Sequence, residues 1–517
     1  MPQRGVVAAG HPATAAAGAW ALREGGNAID AAVAAVIASL SAESPLTGLG
    51  AGGHMLVHRP GEPPVLLDFF VAAPGLEGKE RRAELVPVQV DFGGVIQIFN
   101  VGAASCGVPG VPSGLAEAAR RFGSMSLADL AQPGVSLARD GVEVSTQQAY
   151  IFKILAPILT AESVGAAFYA PTGRTLRAGE RISFPELAET IERFGAEGSE
   201  PFYRGDLADA IASRVEESGG TLRRGDLAAY ETIARDPVRA GFAGREVLTN
   251  PPPSSGGILI AYALELLELI GETDAEALVA VMEEAQTART ADFLAGLYEE
   301  GFDGRFLQPA AIEAAARRCV EGRRGTVPED PQGRLGSTTH ITAVDGDGGC
   351  ASVTCSNGSG SGVFVPGTGI QLNNMLGEDD LNPFGFHATQ PGRRMPSMMS
   401  PTIALRDGEL ELGLGSGGSN RIRSAITQTL VRTLGGEMPI EAAVQAPRLH
   451  FEAGIVHAEP GIDSGALDRL ARRGYEVVRW REPNLFFGGV HAVARTDGVA
   501  RGAGDPRRGG AVAVVVV

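Results

Sequence analysis

The chain has 517 residues, of which 44% are hydrophobic and 20% charged, a balance typical of a globular protein with a large core. Its formal charge of −17 argues against nucleic acid and anionic membrane surfaces as partners, because both require a basic face. The N-terminus lacks the layout of a secretory signal, no stretch reaches the roughly 18–20 apolar residues of a spanning helix, and the four cysteines lack metal-type spacing. We therefore expect a cytoplasmic protein with reduced thiols.

The first 320 residues carry mainly helical patterns. Residues 12–41 predict two alanine-rich helices that break at Gly25-Gly26, with the second beginning at Asn27. Residues 54–58 predict a strand. Helical spacing then recurs over residues 112–240, 258–270 and 281–318.

A glycine cluster precedes the strand predicted at residues 54–58. Gly48-Leu49-Gly50-Ala51-Gly52-Gly53 matches GxGxxG, but it follows a helix and opens a strand, whereas a dinucleotide site requires the reverse order. The two lysines, Lys79 and Lys153, lie outside the glycine clusters, so they form no P-loop. The eight histidines form no HExxH pair. We expect neither a cofactor nor a metal.

Strand patterns dominate the last third of the chain. A polar, arginine-rich segment at residues 315–337 predicts an exposed connection. Residues 339–345 and 350–356 alternate as strands around a glycine-rich turn and predict a hairpin. Further strands are predicted at 402–405 and 410–414, a helix at about 421–434, and a buried strand at 511–517. Together the patterns predict one intimate α/β body.

The start of that hairpin, Ser337-Thr338-Thr339, carries a potential catalyst. If the Ser337–Thr338 bond is cut, the freed α-amino group of Thr338, with a pKa near ~7.7–8.0, can take the proton of its own hydroxyl. If the bond is intact, Thr338 is an ordinary strand residue.

A second glycine cluster, Gly415-Ser416-Gly417-Gly418-Ser419-Asn420, precedes the helix predicted at about 421–434. Free backbone N–H groups at a helix start suit a developing oxyanion. The alternative is a glycine-rich helix cap without a catalytic role.

From about residue 5 to 510, the sequence resembles the γ-glutamyltranspeptidase family. The motifs that carry the resemblance occur in the family's order: Gly25-Gly26-Asn27-Ala28-Ile29-Asp30-Ala31-Ala32, Gly107-Val108-Pro109-Gly110, Pro251-Pro252-Pro253-Ser254-Ser255-Gly256-Gly257, Thr338-Thr339-His340, Gly369-Ile370-Gln371-Leu372-Asn373-Asn374, Ser397-Met398-Met399-Ser400-Pro401-Thr402 and Ala446-Pro447-Arg448-Leu449-His450.

The resemblance implies a four-layer αββα fold of the N-terminal nucleophile (Ntn) hydrolase class. It implies a precursor that cuts itself between Ser337 and Thr338 into a large subunit, residues 1–337, and a small subunit, residues 338–517, which form one intertwined domain. By the same resemblance Thr338 is the nucleophile, Ser356 hydrogen-bonds it, and Gly417 and Gly418 form the oxyanion site, with a register that can shift to include Ser419.

The substrate pocket departs from the family. The family's motif Asp-Phe-Arg, whose arginine holds a glutamyl carboxylate, is Asp68-Phe69-Phe70 here, and its loss removes charged hydrogen bonds of about 1.5–3 kcal/mol each. The other substrate-binding positions implied by the resemblance are Ser397, Met398 in place of a serine, Met375 in place of Gln or Glu, Glu378 or Asp379 in place of aspartate, and Asn357 in a shortened loop. Phe70, Met375 and Met398 predict an apolar acyl pocket, with Arg393 or Arg394 as a relocated contact for an anion.

The leading hypothesis is a self-processing Thr hydrolase or acyltransferase that acts on a small amide substrate other than a free γ-glutamyl group. Three alternatives stay open: γ-glutamyl transfer or glutathione hydrolysis, hydrolysis of a carbon–carbon bond in a natural-product pathway, and a non-catalytic binding protein. The two subunits come from one precursor, and a higher oligomer is compatible with the sequence.

Overall fold

The computed structural model describes residues 3–78, 80, 82–91, 96–322 and 338–516. Ser337, the predicted cleavage junction before Thr338, and most of the polar segment at 315–337 lie outside the described residues.

The described strands, in chain order, are β1 (Gln3–Ala9), β2 (Gly52–His58), β3 (Val65–Phe69), β4 (Val86–Asp91), β5 (Ile96–Val101), β6 (Val142–Glu143), β7 (Arg181–Ile182), β8 (Ile233–Arg235), β9 (Val238–Phe242), β10 (Arg245–Thr249), β11 (Thr338–Asp345), β12 (Cys350–Ser356), β13 (Phe364–Val365), β14 (Ile370–Gln371), β15 (Thr402–Arg406), β16 (Glu409–Gly417), β17 (Leu449–Glu452), β18 (Ile455–Ala458), β19 (Glu476–Arg479), β20 (Gly489–Thr496), β21 (Val499–Gly504) and β22 (Ala511–Val516).

The α-helices are α1 (Pro12–Arg23), α2 (Ala28–Ala42), α3 (Val111–Phe122), α4 (Leu127–Asp140), α5 (Thr146–Ile154), α6 (Ala156–Leu159), α7 (Ser163–Tyr169), α8 (Pro185–Glu197), α9 (Glu200–Tyr203), α10 (Asp206–Glu217), α11 (Arg224–Ala228), α12 (Ser255–Ile270), α13 (Ala275–Thr287), α14 (Ala291–Gly296), α15 (Phe302–Phe306), α16 (Pro309–Glu321), α17 (Arg421–Leu430), α18 (Ile440–Gln445) and α19 (Ser464–Arg472).

Two large antiparallel sheets form the centre of the molecule. The first has the strand order β22-β1-β11-β12-β2-β3-β8, and the second has the order β21-β20-β16-β15-β10-β9. Alternation along β1 shows how they stack, because Val6 and Ala8 point into the apolar layer between the sheets while Val7 and Ala9 point to the helices outside. The strand β11 therefore lies inside the first sheet, between β1 and β12.

Helices cover the outer face of each sheet. α1 and α2 pack on the first sheet in one large apolar cluster, and α12 and α17 pack on the second in another. All 15 residues of α2 are buried, which explains its alanine-rich sequence, since small side chains allow close packing. These four layers confirm the predicted αββα sandwich.

The conspicuous Gly25-Gly26-Asn27 motif is a helix start. The Asn27 side chain accepts hydrogen bonds from the N–H groups of Ile29 and Asp30, and Asp30 accepts one from the N–H of Asn27, which is a complete capping box. The motif therefore fixes the start of α2.

Two element predictions need correction. The helix predicted to reach residue 434 ends at Leu430 and continues as a π-helical turn, Val431–Gly435. The terminal run does form a strand, β22, but it lies at the sheet edge and alternate valines are exposed, with Val514 at 53%. In the described part of the chain, no helix combines the length and apolarity needed to cross a membrane.

Candidate active site

Thr338 is the first residue of β11 and pairs directly with Ser356 at the end of β12. Its hydroxyl donates a hydrogen bond to Ser356 Oγ at 3.2 Å, and Ser356 Oγ also accepts from the Gly358 N–H at 3.1 Å. Both residues are buried, with exposed fractions of 5%. The hairpin thus brings the two hydroxyls together because its register pairs its first residue with its last.

The second glycine cluster lies against the backbone of Thr338. β16 ends at Gly417 and α17 begins at Arg421, so the loop between them opens a helix, as the sequence indicates. A Cβ atom at Gly417 would lie 2.3 Å from the Thr338 carbonyl oxygen, which leaves room only for glycine. Gly418 has φ of +131° and Ser419 has φ of +53°, a conformation unusual for a residue with a side chain.

A cavity opens beside the two hydroxyls, with about 360 Å³ of empty space that is partly open to solvent. It is lined by Phe70, Thr338, Ser356, Gly358, Met375, Glu378, Asp380, Leu381, Ser397, Met398, Met399, Ser419 and Ile422. Most of the exposed surface of the cavity is apolar, two carboxylates are present, and none of these described lining residues is basic. Five of the eight predicted substrate-binding residues are in this lining: Phe70, Met375, Glu378, Ser397 and Met398.

Phe70 is held in place by a buried charged group behind it. Asp68 accepts the Phe70 N–H at 3.0 Å and pairs with Arg235 at 2.8 Å and Arg394 at 3.4 Å. Burial acts to raise the pKa of Asp68, but His54 and the two guanidinium groups outweigh it and hold that pKa below its ordinary value. Arg394 therefore pairs with a carboxylate of the protein.

The structure does not bring Arg393 or Arg394 into the lining of the Thr338 cavity. Arg393 is exposed and lies over the ring of Tyr298, with its guanidinium carbon 5.3 Å from the ring centroid. Both arginines line a different groove, next to Pro251–Pro253.

Ser397 and the methionines after it are held by the polyproline motif. The Ser397 carbonyl accepts hydrogen bonds from the Ser254 hydroxyl at 2.7 Å and from the N–H groups of Ser255 and Gly256. A Cβ atom at Gly256 would lie 2.2 Å from the Met398 carbonyl oxygen. The motif therefore fixes the wall of the cavity through its backbone.

Asn357 lies beside the cavity and is fully buried. Within the described residues its side-chain Oδ1 and Nδ2 have no hydrogen-bond partner, although its backbone bonds Leu46 and Gly360.

Two acidic residues line the cavity. Glu378 accepts a hydrogen bond from Asn374 Nδ2 at 2.9 Å. Asp380, which was not among the predicted site residues, accepts a hydrogen bond from the Ser419 hydroxyl at 2.8 Å, whereas Asp379 is not in the lining.

Two further buried residues were not predicted from the sequence to belong to the site. Glu43, at the end of α2, is buried and accepts the hydroxyl of Thr339, and burial raises its pKa to about 7. Asn373 accepts the N–H groups of Gly107 and Met375 and donates to the carbonyls of Gly50 and Gly107, at 2.8–3.2 Å. Asn373 thereby joins three of the sequence motifs, and its place within one of them was the signal that could have found it.

Within the described ranges, no group of three His, Cys, Asp or Glu side chains is arranged to hold a metal ion.

The sequence profile of the γ-glutamyltranspeptidase family matches residues 14–515. The chain belongs to this family. It is 33% identical over 518 residues to the Acylase ACY 1 proenzyme of Pseudomonas sp. (strain V22), covering 97% of this chain and 91% of that protein. It is 30% identical over 545 residues to the glutathione hydrolase proenzyme of Pseudomonas aeruginosa, covering 99% and 94%.

Among solved structures, the crystal structure of cephalosporin acylase from Bacillus halodurans matches with a TM-score of 0.81 and 26% identity, over 99% of this chain and 96% of that one. Membership of this family makes the protein a self-processing Ntn enzyme of the hydrolase and acyltransferase type.

Proposed function

We propose that this protein cuts its own chain before Thr338 and then hydrolyses amides that carry an apolar acyl group. The cut divides the chain into a large subunit, residues 1–337, and a small subunit, residues 338–517. The observation that carries the proposal is the cavity beside Thr338 and Ser356, which combines apolar walls with two carboxylates.

In the proposed reaction, the α-amino group of Thr338 accepts the proton of its own hydroxyl, and Oγ1 attacks the amide carbon. Backbone N–H groups of Gly417–Ser419 donate to the oxyanion, and the proton passes to the leaving amine as the C–N bond breaks. Water, deprotonated by the same amino group, then attacks the acyl-threonine ester and releases the acid. Ser356 orients the nucleophile through the 3.2 Å hydrogen bond.

The lining favours an apolar acyl group over a glutamyl group. Phe70, Met375 and Met398 are each at most 3% exposed. By the resemblance to the family, they stand in place of polar residues that hold the glutamyl α-amino and α-carboxylate groups. Glu378 and Asp380 would repel a substrate carboxylate, because like charges in a partly desolvated cavity interact strongly. The names of the ACY 1 acylase and the cephalosporin acylase support an acylase reaction, and they do not specify the acyl group.

A second candidate is γ-glutamyl transfer or glutathione hydrolysis. The relative from Pseudomonas aeruginosa is named a glutathione hydrolase, and the carboxylates of Glu378 and Asp380 are suited to a substrate amine. This candidate lacks a described cation in the cavity lining to pair with the glutamyl carboxylate.

The test uses wild type, Thr338→Ala, and Thr496→Ala as a matched control at an exposed threonine on β20. Intact-mass analysis should find fragments meeting between residues 337 and 338 in wild type and control, and one uncut chain in Thr338→Ala. Phenylacetyl-p-nitroanilide and γ-glutamyl-p-nitroanilide then compare the acyl groups. We expect Thr338-dependent release of p-nitroaniline mainly from the phenylacetyl compound.

An uncut, inactive wild type would refute self-processing at this bond. Faster turnover of the γ-glutamyl compound, stimulated by dipeptide acceptors, would refute the apolar acyl group and favour the second candidate.

A further inference from the structure

A buried polar cluster lies where the glycine loop Gly417–Ser419 joins α17. Glu452, the last residue of β17, accepts the side-chain amide of Asn420 at 2.9 Å and faces the guanidinium of Arg421 at 3.5 Å. The same carboxylate is 3.4 Å from His450 Nε2, and His450 Nδ1 is 2.8 Å from the hydroxyl of Ser424. One carboxylate therefore contacts both residues that directly follow Ser419.

The cluster rests on a fixed base. α17 is joined to β17 by two reciprocal hydrogen bonds, in which the Gln428 amide donates to the Leu449 carbonyl at 2.8 Å and accepts its N–H at 2.9 Å. Arg421 is fully buried and its guanidinium lies 4.6 Å above the ring centroid of Phe486. A buried guanidinium requires a paired carboxylate, which Glu452 supplies.

The loop needs such an anchor because its backbone is strained. Ser419 has φ of +53°, and residues in this region persist only where their surroundings fix them. The N–H of Arg421 bonds the Gly418 carbonyl at 3.1 Å, and the N–H of Ile422 bonds that of Ser419 at 3.0 Å. Through these two hydrogen bonds, the position of the first turn of α17 determines the position of the loop.

We propose that Glu452 is a positioning residue, which holds the oxyanion loop in its productive conformation through Asn420 and Arg421. The proposal rests on the proposed use of that loop by Thr338. Glu452 contacts neither Thr338 nor the cavity. Its effect is therefore on the position and orientation of the backbone N–H groups of Gly417–Ser419. Small displacements matter here, since donors must lie within about 2.7–3.1 Å of the oxyanion.

The electrostatics of the cluster agree with this role. Burial acts to raise the pKa of Glu452, but His450, Arg421 and Asn420 outweigh it and hold that pKa well below its ordinary value. Burial in turn lowers the pKa of His450. The carboxylate therefore stays charged across the neutral range and remains an acceptor for Asn420.

The order Ser424–His450–Glu452 resembles a serine hydrolase triad, but its geometry supports an anchor instead. Ser424 lies inside α17. Backbone N–H groups there are hydrogen-bonded to carbonyls of the helix, so they cannot donate to an oxyanion. The Glu452–Asn420 bond, which a triad would not require, is the shortest contact of the carboxylate.

The test measures acylation of Thr338 by p-nitrophenyl acetate, followed as the pre-steady-state release of p-nitrophenolate, with Thr338→Ala as blank. Glu452→Gln keeps the shape and removes the charge; Asn420→Ala removes only the amide. We expect the acylation rate constant to fall at least 10-fold in Glu452→Gln and at least 5-fold in Asn420→Ala, with half-saturating ester concentrations within 2-fold of wild type. Asp30→Asn, which alters an equally buried carboxylate at the start of α2, should lower the melting temperature and leave the rate constant within 2-fold.

A soluble Glu452→Gln protein with the wild-type rate constant would overturn the proposal. Should that variant be insoluble, Asn420→Ala decides in the same way. A wild type that shows the Thr338-dependent burst but cleaves no amide refutes only the proposed amide hydrolysis. Absence of any Thr338-dependent release of p-nitrophenolate in wild type, as a burst or at steady state, refutes both proposals.

Discussion

Gly417→Ala probes how closely the glycine loop Gly417–Ser419, the proposed oxyanion site, packs against Thr338, the proposed nucleophile. The added Cβ would lie 2.3 Å from the Thr338 carbonyl oxygen and 3.1 Å from its carbonyl carbon, both backbone atoms that cannot rotate away. Ordinary contact begins near 3.4 Å, so the shorter distance has to grow by about 1 Å. Either the loop or the first residue of β11 must move by that amount.

A displacement of this size has a known scale of effect. A misplacement of about 1 Å in an active site can lower the rate by about 100-fold. Forcing an extra methyl group into a packed site also costs about 1–3 kcal/mol of stability. We therefore expect kcat to fall about 100-fold in a protein that still folds.

The assay compares kcat, KM and melting temperature for wild type, Gly417→Ala and Gly304→Ala. Gly304 lies in α15, where an added Cβ meets no atom within 4 Å, so the same chemical change meets no obstruction. This control should keep kcat within 2-fold and gain slightly in melting temperature, since alanine favours a helix over glycine. Wild-type kcat in Gly417→Ala would refute the close packing of loop and nucleophile.

Three other changes have defined outcomes. Ser356→Ala removes one hydrogen bond to the nucleophile, worth about 0.5–1.5 kcal/mol, so kcat at saturating substrate should fall up to about 10-fold; an unchanged kcat would contradict the proposed role. Glu43 has its folded pKa raised from 4.5 to about 7, so its contribution to stability is full below pH 4.5 and is lost as the pH rises through 7. At about 1.4 kcal/mol per unit the loss is roughly 3 kcal/mol, or about 3 °C in melting temperature for this length. Glu43→Gln should abolish this part of the fall in melting temperature between pH 5 and pH 8. If the melting temperatures of wild type and Glu43→Gln change in parallel with pH, the prediction is contradicted. Asn373→Ala leaves the N–H groups of Gly107 and Met375 unpaired and should cost roughly 2–5 kcal/mol, measured by thermal unfolding; a melting temperature within 1 °C of wild type would contradict it.

The sequence predicted the parts of the site that depend on local pattern. Alternating residues around a glycine turn define the hairpin, and its register alone brings Ser356 back to Thr338. The motif Asn27 to Asp30 likewise contains its whole capping box within four residues. Such features are visible because the interacting groups are close in the chain.

Long-range partners could not be predicted in this way. Arg394 and Arg235 meet at Asp68, and Glu452 meets Asn420 across 32 residues, only after two sheets have packed. The partial exposure of β22 was not predicted for the same reason, since nothing in a run of valines shows that the strand lies at the edge of its sheet.

The position of β11 between β1 and β12 affects how the protein can refold after cleavage. Cleavage before Thr338, as proposed, leaves two polypeptides whose strands are interleaved in one sheet. β22, β11 and β12 come from one polypeptide, and β1, β2, β3 and β8 come from the other. They cannot part without breaking continuous ladders of hydrogen bonds. The uncut precursor folds as a single chain, whereas the mature protein, once unfolded, has to find its second chain again. Maturation thus turns a unimolecular folding reaction into a bimolecular one, and recovery after denaturation becomes dependent on concentration.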